Sequence, residues 1–352
     1  MAVVADGFCG GSSTGEFMNL TRAEWERVLV ITAEQNRGRV PMLAGTADLS
    51  TAGEGDDEAE QRSNFLAIRH TIDDLMRGEL MILPGEAYLA EQVAVADPGK
   101  IRTVREGLKA AIATALEAEL TALHARASAV DYGLDAAAKG ARKVKTQALA
   151  LLAAGAPDLA AQLAAQQFDA ADNMTDRQGA LMVLCGLDTP LRAEKLAAFH
   201  ARHSGDALVI DKWFSLQAGS LHPDVLAHVR ALAGHPDFTM SNPNRVRALY
   251  MAAAVNAGAF HAASGEGYRL IADLILALDP FNPQTAARFV APLGRWRRIE
   301  PGRAALMRAE LERIAAAPGP SRPRQRGEAR ARAGTGTGRA GRRAGRASRR
   351  QQ

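Results

Sequence analysis

The sequence has few cysteines, few aromatic residues and no long apolar run. Two of its 352 residues are cysteine, Cys9 and Cys185, and they lie too far apart to form a CxxC unit. This spacing argues against a disulfide framework and indicates a reducing compartment. No stretch approaches the roughly 20 apolar residues that a membrane span needs, and the first residues lack a signal-peptide pattern. The sequence therefore predicts a cytoplasmic protein that makes no membrane contact.

Acidic residues are almost missing from the end of the chain. Residues 317–352 contain eleven arginines and a single acid, Glu328, so this tail has a net charge of +10 whereas the whole chain has +4. The rest of the chain is therefore acidic. Because the tail lacks aromatic and large aliphatic residues, we expect it to be disordered. It can bind RNA phosphates non-specifically, but it has no aromatic residues to stack on bases.

The middle of the chain is rich in helical patterns. From about residue 64 to 316, segments with apolar residues three and four apart follow one another, separated by Pro, Asn, Asp or Gly. The longest predicted helix covers 101–127. Helices of this kind stack in pairs, so the sequence predicts a mainly α fold, an irregular α-solenoid of the armadillo or HEAT type. The spacing of the segments varies too much for a strict repeat.

The first 53 residues have a different pattern. An apolar strand is predicted near 3–9, a helix over 21–36 and a second strand in "GRVPMLAGT", which together form a small β-α-β fragment. Between the first strand and the helix lies "GGSSTGE", whose backbone N–H groups and hydroxyls suit an anion, although it matches neither GxGxxG nor the P-loop. Such a stretch also serves as a permissive turn. Residues 54–79 begin with an acidic run and are predicted to be a linker and a connecting helix.

The helical segments between about 64 and 316 contain six polar motifs that the amphipathic pattern of the helices does not explain. In order and spacing they resemble the C-terminal α-helical domain of bacterial aminopeptidase N, the alanyl aminopeptidase branch of the zinc gluzincin peptidases. The resemblance covers about 80–316. The motifs are "LPGEAYLAEQ" (83–92), "DNMTDR" (172–177), "DKWF" (211–214), "FTMSNPNRVRAL" (238–249), "AFHAASGEGYR" (259–269) and "NPQTAARFVAPLGRWRR" (282–298).

The resemblance implies a domain that closes over a separate zinc-containing catalytic domain. That catalytic domain carries HExxH and GxMEN, and neither motif occurs in this chain. We therefore expect no catalytic residue, no cofactor and no activity of the chain alone. Zinc belongs to the full-length family, and the partners implied are aminopeptidase catalytic domains acting in trans, with peptide substrate bound only through them.

The resemblance also implies a role for two arginines. Arg247 and Arg288 match family positions that line the passage to the catalytic cavity. Both follow an Asn-Pro helix start. Asn242 or Ser241 is predicted to cap the helix of Arg247, and Asn282 is predicted to cap the helix of Arg288. Arg245 lies roughly 200° around the helix from Arg247, so only one of the two can face a cavity. Surface ion pairs or packing of the guanidinium stems are the alternative. In "DKWF", Trp213 and Phe214 are predicted to anchor the core.

No other metal site is predicted. His200 and His203 lie three apart on a helix, but no third ligand is near them in sequence. We expect them to mark a solvated helix end. Four further histidines fall at helix ends or turns, where caps and hydrogen bonds are ordinary: His222, His228, His235 and His261.

The N-terminal stretch resembles the early strands of the dihydrodipicolinate synthase and N-acetylneuraminate lyase family. The likeness covers about 50 residues. It implies that Ser13 and Thr14 are a vestigial carboxylate-binding loop, without the Schiff-base lysine and tyrosine of that family's later strands. A β-α-β piece cannot close an eight-stranded barrel.

The expected function is therefore that of an aminopeptidase helical domain covering a catalytic cavity. A free-standing helical interaction protein is the main alternative, and a pyruvate-type lyase is disfavoured. Two truncated family segments that meet at a charged joint also suggest a fused or frameshifted reading frame.

Overall fold

The computed structural model describes residues 2–4, 7–10, 42–44 and 73–318. The chain divides into two units, Met1–Arg77 and Gly78–Gln352, and each is described by itself. The predicted helix over 21–36, the start of the linker and the basic tail after 318 lie outside the described residues. None of the helices among the described residues is long and apolar enough to cross a membrane.

Three short strands form a sheet in the first unit. They are β1 (Ala2–Val4), β2 (Gly7–Gly10) and β3 (Met42–Ala44). β1 pairs with β2 in antiparallel fashion, and β2 pairs with β3 in parallel. The single strand predicted near 3–9 is therefore wrong, because the chain reverses and pairs with itself there. The predicted β-α-β unit remains a prediction, since its helix is not among the described residues.

The second unit is built of helices, and the first of them begins before the boundary between the units, at Asp74. The prediction of a mainly α fold is confirmed. The helices are α1 (Asp74–Leu80), α2 (Glu86–Glu91), α3 (Pro98–Ala115), α4 (Glu117–Ser128), α5 (Ala136–Gly155), α6 (Pro157–Ala170), α7 (Met174–Gly186), α8 (Pro190–His203), α9 (Ala207–Ala218), α10 (Val225–Ala233), α11 (Pro243–Val246), a π-helical turn (Arg247–Met251), α12 (Ala252–Val255), α13 (Ala257–Phe260), α14 (Glu266–Leu278), α15 (Pro283–Leu293), a 3₁₀ turn (Trp296–Arg298) and α16 (Pro301–Ala316).

Most helix boundaries follow local sequence signals. Asp97, Asp135 and Asn173 each accept a hydrogen bond from a backbone N–H of the helix that follows. Such caps satisfy donors that the first turn leaves unpaired. The single helix predicted over 101–127 is wrong, because it breaks at Leu116, where φ is −123° and ψ is 24°. Neither Pro nor Gly marks this break.

Neighbouring helices pack in pairs and bury two large cores. The first core runs from α3 through α12, and its fully buried side chains include Leu149, Leu184 and Phe199. The second core lies under α14, α15 and α16 and includes Tyr268 and Phe289. Alanines such as those of α6 let paired helices approach closely, as the sequence predicts.

The segment before α3 contacts the segment before α16. Ala96, just before α3, forms a parallel β-bridge with Ile299, just before α16. The N–H of Ala96 donates to the carbonyl of Arg298 at 2.7 Å, and the N–H of Glu300 donates to the carbonyl of Ala96 at 2.8 Å. Arg303 of α16 also pairs with Asp97 at 3.5 Å. An open solenoid has no such contact, so the described helical unit closes on itself.

Candidate functional site: polar networks of the helical unit

The motifs "DKWF" and "FTMSNPNRVRAL" meet in the structure. Arg245 Nε donates to Asp211 Oδ1 at 2.5 Å, and the Arg245 side chain is 7 % exposed. Its guanidinium carbon lies 4.9 Å from the centre of the Phe214 ring. Trp213 and Phe214 are buried, as predicted, and the Trp213 Nε1 donates to the Leu196 carbonyl at 3.0 Å. The two motifs therefore hold α9 against α11.

Arg247 points away from this network. Its side chain is exposed and donates to Asn244 Oδ1 at 2.7 Å. The prediction that Arg245 and Arg247 diverge is confirmed, since one is buried and the other faces outward. Asn242 caps α11 by accepting from the N–H groups of Asn244 and Arg245, as predicted. The π-helical turn starts at Arg247, a feature that is rare and often found at functional sites.

Arg288 lies on α15, which Asn282 caps by accepting from the N–H of Thr285 at 3.1 Å. The Arg288 side chain is exposed and has no hydrogen bond or ion pair within residues 73–318. α12, which continues from the π-helical turn of Arg247, packs against α15. The π-helical turn that begins at Arg247 and α15 are not among the helix pairs with extensive contact in the part of the chain that the structure describes.

The motif "DNMTDR" forms a buried polar network. Lys145 Nζ of α5 donates to Asp176 Oδ2 at 2.7 Å, and both side chains are nearly buried. Gln167 donates to the carbonyl of Asp176 at 2.9 Å and lies 3.0 Å from His124 Nε2. Burial lowers the pKa of His124. Asn173 caps α7 by accepting from the Asp176 N–H. This motif therefore locks α5, α6 and α7 together.

The motif "AFHAASGEGYR" makes a second buried contact. His261 Nδ1 lies 2.7 Å from the Tyr268 hydroxyl. Burial, helped by the nearby Arg303 cation, lowers the pKa of His261 to about 4. Burial also raises the pKa of Tyr268. Gly265, with φ of 72°, starts α14 in the left-handed region that favours glycine.

Two histidines and an aspartate converge beside Trp213. His200 Nε2, in the last turn of α8, lies 2.5 Å from Asp237 Oδ2, and His235 Nδ1 lies 3.8 Å from the same oxygen. One ligand atom from each of the three side chains lies within 4.8 Å of the others. His200 lies in the last turn of α8 and is 26% exposed, and its ring also packs 4.9 Å from that of Trp213.

Sequence reasoning missed this cluster because its members come from separate segments. His235 and Asp237 follow α10, and neither lies near His200 in sequence. The prediction that His235 makes an ordinary turn hydrogen bond is confirmed, since its Nδ1 accepts from the Asp237 N–H at 3.1 Å. His203 does not join the cluster and packs instead 4.8 Å from the Phe199 ring.

Other predicted groups have simpler outcomes. Cys185 is a free and buried thiol, and burial raises its pKa to about 12, so it is not a nucleophile. Ser13 and Thr14 lie outside the described residues.

Comparisons with known proteins place the chain. The family described as "Domain of unknown function (DUF3458_C) ARM repeats" matches residues 33–324. Aminopeptidase N of Caulobacter vibrioides is 41% identical over 275 residues, which are 76% of this chain and 32% of that protein. Aminopeptidase N of Escherichia coli is 38% identical over 69% of this chain and 28% of that protein.

A solved structure of an aminopeptidase also matches the chain. The crystal structure of Legionella pneumophila aminopeptidase A in complex with aspartic acid matches with a TM-score of 0.72 and 25% identity, over 89% of this chain and 36% of that chain. The chain thus spans about a third of the length of the relatives it matches.

These comparisons do not support the lyase likeness of residues 1–53. The family match begins at residue 33, inside that segment, and the antiparallel pairing of β1 with β2 differs from the all-parallel sheet of a β/α barrel. The helical resemblance, in contrast, is confirmed. The chain belongs to the DUF3458_C family of ARM-repeat domains, the C-terminal helical domain of the aminopeptidase N family.

Proposed function

We propose that this chain is a helical accessory domain of an aminopeptidase N-type peptidase, which covers the catalytic cavity and lines the path of the peptide substrate. The observation that carries the proposal is the family match over residues 33–324, together with aminopeptidase N relatives of which the chain spans only about a third. The catalytic domains act in trans, in the cytoplasm, and the chain has no hydrolytic activity alone.

The residues present do not fit the catalytic zinc of the family. A zinc site of that kind places two histidines four apart on one helix, with a glutamate between them that acts as the base. The sequence has no HExxH motif. The pair His200 and His203 has the wrong spacing, and the two rings contact different partners, Asp237 and Phe199. No hydrolytic step is therefore assigned to this chain.

Arg247 and Arg288 are the residues proposed to line substrate access. Two observations support this role: both side chains are exposed, and neither is neutralised by a carboxylate within residues 73–318. An exposed guanidinium keeps its charge and its donors for a peptide carboxylate or carbonyl. Arg245, which Asp211 neutralises, has a structural role instead.

The test is hydrolysis of an alanyl chromogenic substrate. The purified full chain is assayed alone and then mixed with zinc-loaded catalytic domains of an aminopeptidase N that lacks its own helical domain. We expect no activity alone and an increase in the mixture. Chelator-sensitive activity of the chain alone would contradict the assignment of chemistry to a partner. An unchanged rate in the mixture would contradict the accessory role.

A free-standing interaction protein is the second candidate function. Val104 and Leu108, one turn apart on α3, are 70% and 51% exposed. Aliphatic side chains spaced four apart and turned outward favour a partner surface. Substituting both by Ser tests the two functions together: loss of the rate increase in the mixture would assign this surface to the catalytic domains. If the rate increase in the mixture is unchanged, the surface of Val104 and Leu108 is assigned to a different partner protein.

A further inference from the structure

The cluster of His200, His235 and Asp237 brings together the side chains that divalent transition metals prefer. Imidazole nitrogens and a carboxylate oxygen suit Zn²⁺ and its neighbours in the first transition row. At metal–ligand distances of about 2.0–2.1 Å, ligand atoms in a tetrahedral site lie about 3.3 Å apart. The two separations measured to Asp237 Oδ2 are 2.5 and 3.8 Å, on either side of that value.

The cluster is accessible and its backbone is held in place. The side chains of His200 and His235 are 26% and 29% exposed, so an ion can enter while solvent supplies the remaining ligands. Trp213 packs against both imidazoles, with ring centres 4.9 and 5.2 Å away. The Arg245 guanidinium donates to the carbonyl of Asp237 and fixes the segment that follows α10. The three ligand atoms lie within 4.8 Å of one another, so binding a metal requires the side chains to move closer together around the ion.

The charges near the cluster are compatible with a cation. Asp237 supplies the carboxylate of the cluster, with its Oδ2 2.5 Å from His200 Nε2. Arg245 is the nearby cation, and its charge is already neutralised by Asp211 at 2.5 Å. The cost of binding is the loss of two hydrogen bonds: the one between His200 and Asp237, and the one from the Asp237 N–H to His235 Nδ1. Metal–ligand bonds replace both of these hydrogen bonds.

We propose that His200, His235 and Asp237 bind one divalent transition-metal ion, with Zn²⁺ as the representative. The ion would join the C-terminal end of α8 to the segment between α10 and α11. In the same region, the His200 ring packs against Trp213 and Arg245 donates to the Asp237 carbonyl. The ion would therefore cross-link the part of the helical unit that also contains Arg247. Its role is to stabilise this region.

The test is calorimetric titration of the tag-free, chelator-treated full chain with ZnCl₂. We expect one equivalent to bind at this site, and single substitutions His200→Gln, His235→Gln and Asp237→Asn each to weaken binding at least about tenfold. His203→Gln is the matched control, since His203 lies one turn along the same helix outside the cluster. This variant should bind as the unchanged chain does.

A second readout locates the ion. Cu²⁺ quenches tryptophan emission at short range, and the Trp213 ring is packed against the cluster. We expect saturable quenching that is competed by Zn²⁺, retained in His203→Gln and lost in the double variant His200→Gln/His235→Gln. If Zn²⁺ does not bind, or if binding and quenching persist in the double variant, the three residues form an ion-pair cluster only and the proposal is wrong.

Discussion

Arg245 and Asp211 form a buried ion pair at 2.5 Å that joins two motifs from separate helices. The Arg245 guanidinium lies over the ring of Phe214 and also donates to the carbonyl of Asp237. A buried cation is tolerated only when its charge is neutralised and its donors are used. These two motifs therefore depend on each other for the stability of the helical unit.

Removing the Asp211 carboxylate is expected to destabilise the folded protein. In Asp211→Ala the Arg245 guanidinium remains buried without its carboxylate, and we expect the free energy of unfolding to fall by about 3 kcal/mol. Urea denaturation of the full chain measures this. Arg247→Ala is the matched control, because Arg247 is exposed two residues along the chain and should change the value by about 0.5 kcal/mol or less. Equal losses in the two variants would contradict the buried role.

The ion pair between Lys145 and Asp176 is expected to behave in the same way. Lys145→Met leaves a nearly buried carboxylate unpaired, which should cost about 3–5 kcal/mol. The double variant Lys145→Met/Asp176→Leu removes both charges and should recover most of that loss. For comparison, Glu312→Gln breaks an exposed pair with Arg308 and should cost about 0.5 kcal/mol or less. A double variant as unstable as the single one would show that lost packing, and not the unpaired charge, sets the cost.

His261 should make stability depend on pH. Burial lowers its pKa from the ordinary value of 6.5 to about 4 in the folded protein. Between these values the unfolded chain binds a proton that the folded chain does not, so the free energy of unfolding falls as the pH falls from about 6.5 to about 4. The expected loss is about 3 kcal/mol at the acidic limit.

Denaturation at a series of pH values tests this in His261→Asn, whose amide oxygen replaces Nδ1 as the partner of Tyr268. The variant should lose less stability than the unchanged chain below pH 6.5 and should show the same pH dependence above it. If the free energies of unfolding of the two proteins change in parallel over the whole pH range, His261 does not contribute to the pH dependence of stability.

Arg247 and Arg288 should affect activity without affecting folding. In the mixture with catalytic domains, Arg247→Glu and Arg288→Glu are expected to raise KM by about threefold to tenfold with little change in kcat, as for the loss of one charged contact with substrate. Their urea midpoints should match that of the unchanged chain. An unaltered KM in both variants would remove these residues from the substrate path.

The arginine-rich tail should account for any binding of RNA. Deleting residues 318–352 is expected to abolish non-specific binding of single-stranded RNA in a gel-shift titration. Binding by the full chain should weaken steeply with salt, because the logarithm of the affinity falls by about 0.7 per neutralised phosphate and per tenfold change in salt. Equal binding by the shortened chain would locate the RNA contacts on the acidic remainder.

Local features of this fold could be predicted from sequence, and features that join distant segments could not. The caps Asn242 and Asn282 act on backbone N–H groups within three residues, so the local pattern is enough to identify them. The contact of His200 with Asp237 depends on how α8 packs beside the segment after α10. The break at Leu116 also has no local signal, since neither Pro nor Gly stands there.

The bridge between Ala96 and Ile299 sets a fixed size for the helical unit. Open repeat arrays can gain or lose a helix pair during evolution, because each pair contacts only its neighbours. Here an inserted pair would move Ala96 away from Ile299 and break the closure. Changes of length are therefore expected in the turns between helices and not in the number of helices.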